Sequence, residues 1–373
     1  MGLSANLRRV ALILLPLLAG GVATAQDVAP IALAPASAAA RAPRIKSVGG
    51  TTAVSWIETL PGGDDALKVS ILFDALAPTV GSPLMFTMDV AAASSLGESD
   101  VAVDPATQRP AVLWIGDSGS ETQVRFASPG VTPEIVFRTQ RFLEIPVLDY
   151  DAFGNAYAAW TEVDGGTSRL HAAVRPAGGA WSTMALSDAS RPYDVLPQIF
   201  GNASGAELYW FSMSDDEVLA HLVMLDTLGV SADRRGTLSD VPANRLPTIY
   251  RATEEQSLGF LWLEQGTDGE TYFDLDPRYS PEANPGVLGL STSTVAEPAV
   301  SDDASAKKTW LETGADGEHR LVVRQGGGEE NRLAISRTAR EPVIAVSPKW
   351  THIVWTEENL LDGVGSLYYL RFP

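Results

Sequence analysis

Tryptophan recurs in this chain at an interval that no helical or short strand repeat produces. It stands in seven similar runs: Val54-Ser55-Trp56, Val112-Leu113-Trp114, Ala158-Ala159-Trp160, Leu208-Tyr209-Trp210, Phe260-Leu261-Trp262, Lys308-Thr309-Trp310 and Ile353-Val354-Trp355. Successive spacings are 58, 46, 50, 52, 48 and 45 residues. Glu follows two residues later in five of them, at Glu58, Glu162, Glu264, Glu312 and Glu357. A proline lies 12 to 15 residues before the Trp, at Pro43, Pro146, Pro197, Pro247, Pro298 and Pro342. Only the second unit departs, with Ser99-Asp100-Val101 in that place. Two anchors in phase define a repeat near 50 residues, which constrains the fold more than any local propensity.

The stretch Ile145 to Ser182 displays one unit. Pro146 opens an apolar run, Asp151 to Asn155 make a turn, and a second run climbs to Trp160. A Gly-rich loop leads to Leu170–Val174, and Gly178-Gly179 precedes a fourth run. The runs are short, bounded by turn residues and free of helical periodicity. Four strands per 50-residue unit predict an all-β chain, a seven-bladed β-propeller of four-stranded antiparallel blades. The Trp is expected to fill the wedge between blades. The Pro is expected at the start of the innermost strand, where a missing N–H costs little. The last unit ends at its third strand, Ser366 to Phe372, so the apolar segment Val28 to Leu33 is expected to supply its outer strand and close the ring. The propeller is read over residues 43–373, after an Ala/Pro-rich segment at 26–42. The region Asp74 to Gly97 is longer than its equivalents and reads as an insertion.

Residues 1–25 read as a cleaved signal peptide: Arg8-Arg9, an apolar stretch from Val10 to Leu18, and Ala23-Thr24-Ala25 before the cut. The apolar stretch is too short for a membrane anchor. With no Cys the chain has no disulfide and no thiol nucleophile. These features predict a bacterial periplasmic or secreted protein. Loss of Arg8 and Arg9 takes the net charge from −19 to −21. Such a surface repels nucleic acid and anionic membrane, and no run of Lys or Arg exceeds two.

In a propeller the loops joining second to third strands share a face with those joining one blade to the next, and loops on a rigid scaffold carry function. The first set is acidic, with Asp64-Asp65, Glu162, Asp164 and Glu357-Glu358 among its members. The second set carries Arg before the inner strand: Arg138, Arg141, Arg191, Arg245, Arg337 and Arg340. A guanidinium is always charged and its planar fork matches a carboxylate or sulfate. Arg141, Arg191, Arg245 and Arg340, with Tyr193 and Tyr250 beside them, are therefore the candidate ligand-binding residues, unless each Arg is spent on a neighbouring carboxylate. His171 and His221 both lie eleven residues after their Trp and are expected to form a layer of the core rather than a shared site. Asp149 and Asp151 with Gly154-Asn155 read as a turn, since a calcium loop needs more oxygen ligands and a closing Glu. No cofactor, metal or catalytic set is expected.

The pattern from Pro146 to Trp160 resembles bacterial sialidase-like propellers with BNR-type repeats, and Asn244-Arg245-Leu246-Pro247 is similar to their Arg-Ile-Pro element. By that resemblance Arg245 would bind a ligand carboxylate. The family's Asp-box is matched at Gly178 and Trp181, but not at Val174, Pro176 or Ala180. Two functions follow as expectations. One is a non-catalytic exported scaffold that binds a protein or glycan through its loop face. The alternative is a glycan-active hydrolase or lyase acting on an acidic sugar.

Overall fold

Each Trp lies in a four-stranded sheet whose consecutive strands pair antiparallel, because turns of a few residues can only join antiparallel neighbours. The computed structural model describes residues 30–34, 39–75, 83–91, 96–187, 193–213, 218–237, 248–251, 258–266, 269–275, 286–287, 294–301, 307–313, 319–325, 329–358 and 365–372. No helix occurs among them. In the Trp160 sheet the strands are Phe142–Tyr150, Ala156–Asp164, Thr167–Arg175 and Ser182–Ala185. The Trp355 sheet takes Ala339–Val346, Thr351–Glu358 and Gly365–Phe372 from the C-terminal end, and its outer strand is Ile31–Ala34. Ile31 pairs with Tyr369 and Ala32 with Tyr368. Of the segment expected at Val28 to Leu33, Ile31 to Leu33 lie in this outer strand, and Val28 and Ala29 lie outside the described residues.

Between neighbouring sheets lie separate apolar clusters, each holding the Trp of the later sheet. Trp114 packs against Ala53, Leu67 and Val69 of the Trp56 sheet. Trp160 packs against Leu113, Val124 and Phe126 of the Trp114 sheet, and Trp210 against Tyr157, Leu170 and Val174 of the Trp160 sheet. Trp355 meets Leu311, Leu321 and Val323. Trp56 meets Leu33, Val354, Leu367 and Tyr369, joining the two ends of the chain. Trp56 and Trp160 are fully buried, so the wedge role holds where it is described.

One expectation is corrected. Where it is described, the Pro does not begin the innermost strand. Pro43 and Pro146 are fifth in Ala39–Val48 and Phe142–Tyr150, inside a bulge where pairing slips, between Arg41 and Arg44 and between Glu144 and Val147. A bulge frees the Pro nitrogen from the ladder, which is the other place a strand tolerates it. The residue before four such Pro takes a left-handed backbone: Ala42 at φ 50°, Ile145 at 50°, Leu196 at 51° and Glu341 at 50°. For side chains with a Cβ this is a rare and costly region. Four repetitions in equivalent places mark it as a built feature. Asp74 to Gly97, expected to hold an insertion, contains the fourth strand of its sheet, Leu84–Ala91, while residues 76–82 and 92–95 lie outside the described residues.

The sheet joining the chain ends is fastened on the side away from the bulges. Ser347 donates to Asp74 Oδ1 at 2.9 Å. His352 Nε2 lies 3.0 Å from Ser347 Oγ and 3.2 Å from Thr52 Oγ1, and its Nδ1 lies 2.8 Å from Tyr369 OH. Burial, assisted by Arg371, lowers the His352 pKa to about 3, so the ring is neutral. The residue types are those of a hydrolase triad, but His352 is wholly buried and Ser347 and Asp74 crowd one ring nitrogen, at 3.0 and 3.6 Å. The group acts as a clasp.

Candidate functional site

The leading strands enter at the end where second strands turn into third strands. Phe142 pairs with Val163, and Asp164 with Thr167. Those of the Arg and acidic residues singled out above that are described therefore share one rim. Their states differ.

Arg141 is spent. Its Nη1 meets Glu162 Oε2 at 3.2 Å and its Nε meets Asp164 Oδ2 at 3.0 Å. Glu162, expected in a loop, lies on the strand beyond Trp160 and is buried. It also accepts from Thr139 Oγ1 at 2.6 Å and meets His171 Nε2 at 3.2 Å. Burial alone would raise its pKa, but Thr139, His171 and Arg141 outweigh burial and hold it below the usual carboxylate value. His171 stacks on Trp160 with ring centres 5.9 Å apart, and His221 stacks on Trp210 at 4.7 Å. They belong to different sheets with different partners, Glu162 and Ser212, so they form repeated core positions.

Arg340 is in another state. It is exposed and lines a pocket of about 350 Å³ together with Ala39, Ala40, Arg41, Glu341, Thr356, Glu358 and Gly365. Its Nη1 donates to the carbonyl of Ala339 at 2.8 Å, and among the described residues no carboxylate pairs with it. Arg41 in the same pocket is held by Asp65 at 2.6 and 3.2 Å and by Thr59 at 3.2 Å. Arg191 and Arg245 lie outside the described residues, as does the side chain of Tyr250, whose backbone pairs with Gly259. Tyr193 begins its leading strand and is 45% exposed. Phe142 holds the same position in the preceding sheet and is 76% exposed.

Arg41, Phe142 and the carboxylates of the leading strands escaped the sequence reading. Arg41 stands two residues before its Pro, as Arg245 and Arg340 do, and that spacing was available as a signal. The carboxylates bind backbone N–H groups of the next sheet. Glu98 accepts from Ile145 N at 2.9 Å, Asp100 from Leu148 N at 2.8 Å, Asp149 from Gly201 N at 2.8 Å and Glu341 from Ala42 N at 3.0 Å. Lys46 of the Trp56 sheet reaches Asp149 of the Trp160 sheet at 3.1 Å, passing the Trp114 sheet, so three leading strands converge. Burial raises the Asp100 pKa to about 6, against the pull of the Leu148 N–H, Arg44, Lys46 and the Val101 N–H. Asp151 is a turn hub, as expected: it accepts from Phe153 N, Asn155 N, Asn155 Nδ2 and Tyr157 OH. No cluster suited to a metal ion occurs among the described residues.

No family model matches the sequence, and no curated protein matches it. Solved structures do match in shape. Polysaccharide lyase Uly1 superposes with a TM-score of 0.53 at 8% identity, covering 88% of this chain and 89% of that one. The β-propeller domain of the Trilobed protease from Pyrococcus furiosus gives 0.52 at 8% identity, covering 90% and 97%. The acylaminoacyl peptidase of Pyrococcus horikoshii gives 0.51 at 9% identity, covering 89% of this chain and 51% of that one. These likenesses do not single out the sialidase-like repeat; at such identities they establish architecture alone, and that architecture is the β-propeller.

Proposed function

We propose that the chain is an exported, seven-bladed propeller, closed into a ring by Ile31–Ala34, that binds an acidic glycan at its loop rim without transforming it. The observation that carries the reading is Arg340. It is an exposed guanidinium without a carboxylate partner among the described residues, lining a pocket of about 350 Å³, on a rim where Arg141 is neutralised. Exposed Phe142 and Tyr193 add flat apolar faces of the kind that stack on sugar rings. Binding is favoured over turnover by the charge state of Glu162. A glycosidase general acid needs a raised pKa, whereas this carboxyl is held ionised by its three partners. Export rests on the signal-like residues 1–25.

The test is thermal melting of residues 26–373 with a panel of uronic-acid, sialic-acid and sulfated glycans. A ligand selective for the native state raises the melting temperature. The expected result is a shift with an acidic glycan that Arg340→Ala reduces. No shift across the panel would refute the reading and send the search to a protein partner.

A further inference from the structure

The repeats supply an internal control for one position on the rim. Where the backbone turns left-handed before its Pro, the N–H leaves the strand ladder and needs another acceptor. Two sheets show what supplies it. Ile145 N–H is taken by Glu98 of the preceding sheet at 2.9 Å, and Ala42 N–H by Glu341 of its neighbour at 3.0 Å. Glu98 and Glu341 occupy the same repeat position, the one before Ser99 or Pro342. The rule is that this position in one sheet provides the carboxylate for the same position in the next.

At Leu196 the rule breaks. Leu196 has the same backbone, φ 51° before Pro197, beside φ 50° for Ile145 and Ala42. The residue in the preceding sheet that should supply its carboxylate is Ile145, which has none. No side-chain acceptor meets the Leu196 N–H among the described residues. The Trp114 sheet is the other described case with an apolar predecessor, Ala42, but its bulge at Gly97-Glu98 has no left-handed residue and carries a carboxylate of its own. Leu196 alone among the described positions combines the left-handed backbone with a predecessor that lacks a carboxylate. Tyr193, 45% exposed, begins the same strand, and Phe142, 76% exposed, stands at the matching place one sheet earlier.

We propose that the Leu196 N–H is an open carboxylate subsite, filled by the carboxylate of a uronic-acid residue in a glycan whose ring rests on Tyr193. The ligand carboxylate takes the place that Glu98 takes at Ile145. This deepens the binding reading above and depends on it. It differs from an Arg-driven site in its salt response. The net charge of residues 26–373, −19 less the two Arg of residues 1–25 or −21, repels an anion at long range, and salt screens that repulsion over about 10 Å at 0.1 M. The N–H contact is short and local, so affinity should hold or rise with moderate salt.

The experiment is calorimetric titration of residues 26–373 with trigalacturonate, and with the neutral trigalactose as control. Ile145→Glu restores the missing carboxylate; Glu341 already adopts the required backbone at this position, so the change adds no new strain. The expected results are loss of trigalacturonate binding by at least about tenfold in Ile145→Glu, with a melting temperature at or above the parent's, and no binding of trigalactose. Should that variant fail to fold, the exposed Tyr193→Ala serves, with several-fold weaker binding expected. Unchanged affinity in the deciding variant overturns the subsite while leaving the rim reading intact; equal binding of trigalactose overturns both. Absence of any glycan binding by the parent overturns both.

Discussion

Asp100 should make the protein less stable as pH rises, and replacing it with Asn should reveal by how much. Its carboxyl is displaced by burial from the ordinary 3.8 to about 6. At about 1.36 kcal/mol per pH unit, ionising it costs the native state about 3 kcal/mol relative to the unfolded chain. Asp100 keeps some exposure at the convergence of the leading strands, so solvent trims this to about 2 kcal/mol. The sign follows from proton counting. Below 3.8 both states hold the proton and there is no penalty. Between 3.8 and about 6 the unfolded chain releases it while the folded one keeps it, so stability falls as pH rises; above about 6 the penalty is constant. Asp100→Asn keeps an oxygen for the Leu148 N–H, gives up the oxygen that accepts from the Val101 N–H, and never ionises. Losing that acceptor shifts the variant by a constant amount, and on top of it the stability of the variant relative to the parent should rise by about 2 kcal/mol between about pH 4 and about pH 8. Urea unfolding of both proteins across that range is the assay. The subtraction removes His352, whose lowered pKa acts oppositely: its contribution is lost as pH falls from 6.5 toward about 3. A difference between parent and variant that does not change with pH would refute the reasoning.

Other perturbations test the scaffold. Trp160→Ala empties a fully buried wedge between two sheets and should cost about 3–5 kcal/mol by urea unfolding. Leu33→Ala, at 3% exposure beside Trp56 and Leu367, should cost about 2–5 kcal/mol, because it loosens the strand that joins the chain ends. Asp151→Ala orphans the Asn155 and Tyr157 donors in a buried turn and should lower the melting temperature by several degrees.

The repeat was legible because both anchors are large local signals. A Trp has one suitable place in a sheet wedge, and a Pro in a strand needs a site without a ladder bond. Pro146 was legible as an inner-strand residue, but its bulge was not, since a left-handed Ile145 has no mark in its own side chain. The rim was legible as a set of Arg residues, yet their states depended on partners far off in the chain. Arg141 is neutralised by Glu162, 21 residues away, and Arg41 by Asp65, 24 away. The stitching carboxylates were missed for the same reason: Glu98 and Ile145 are 47 residues apart, and Glu341 and Ala42 are 299 apart. A single Glu before a Pro reads as surface charge until the next sheet is placed beside it.

The most direct test of rim recognition watches the open donor itself. Leucine and isoleucine amides of residues 26–373 would be labelled with ¹⁵N and followed by NMR during titration with trigalacturonate, Leu196 being assigned by its loss in Leu196→Met. The Leu196 amide should move saturably while the Ile145 amide, already held by Glu98, stays in place. A Leu196 amide that does not move while the glycan binds, or an Ile145 amide that moves as far, would contradict the account.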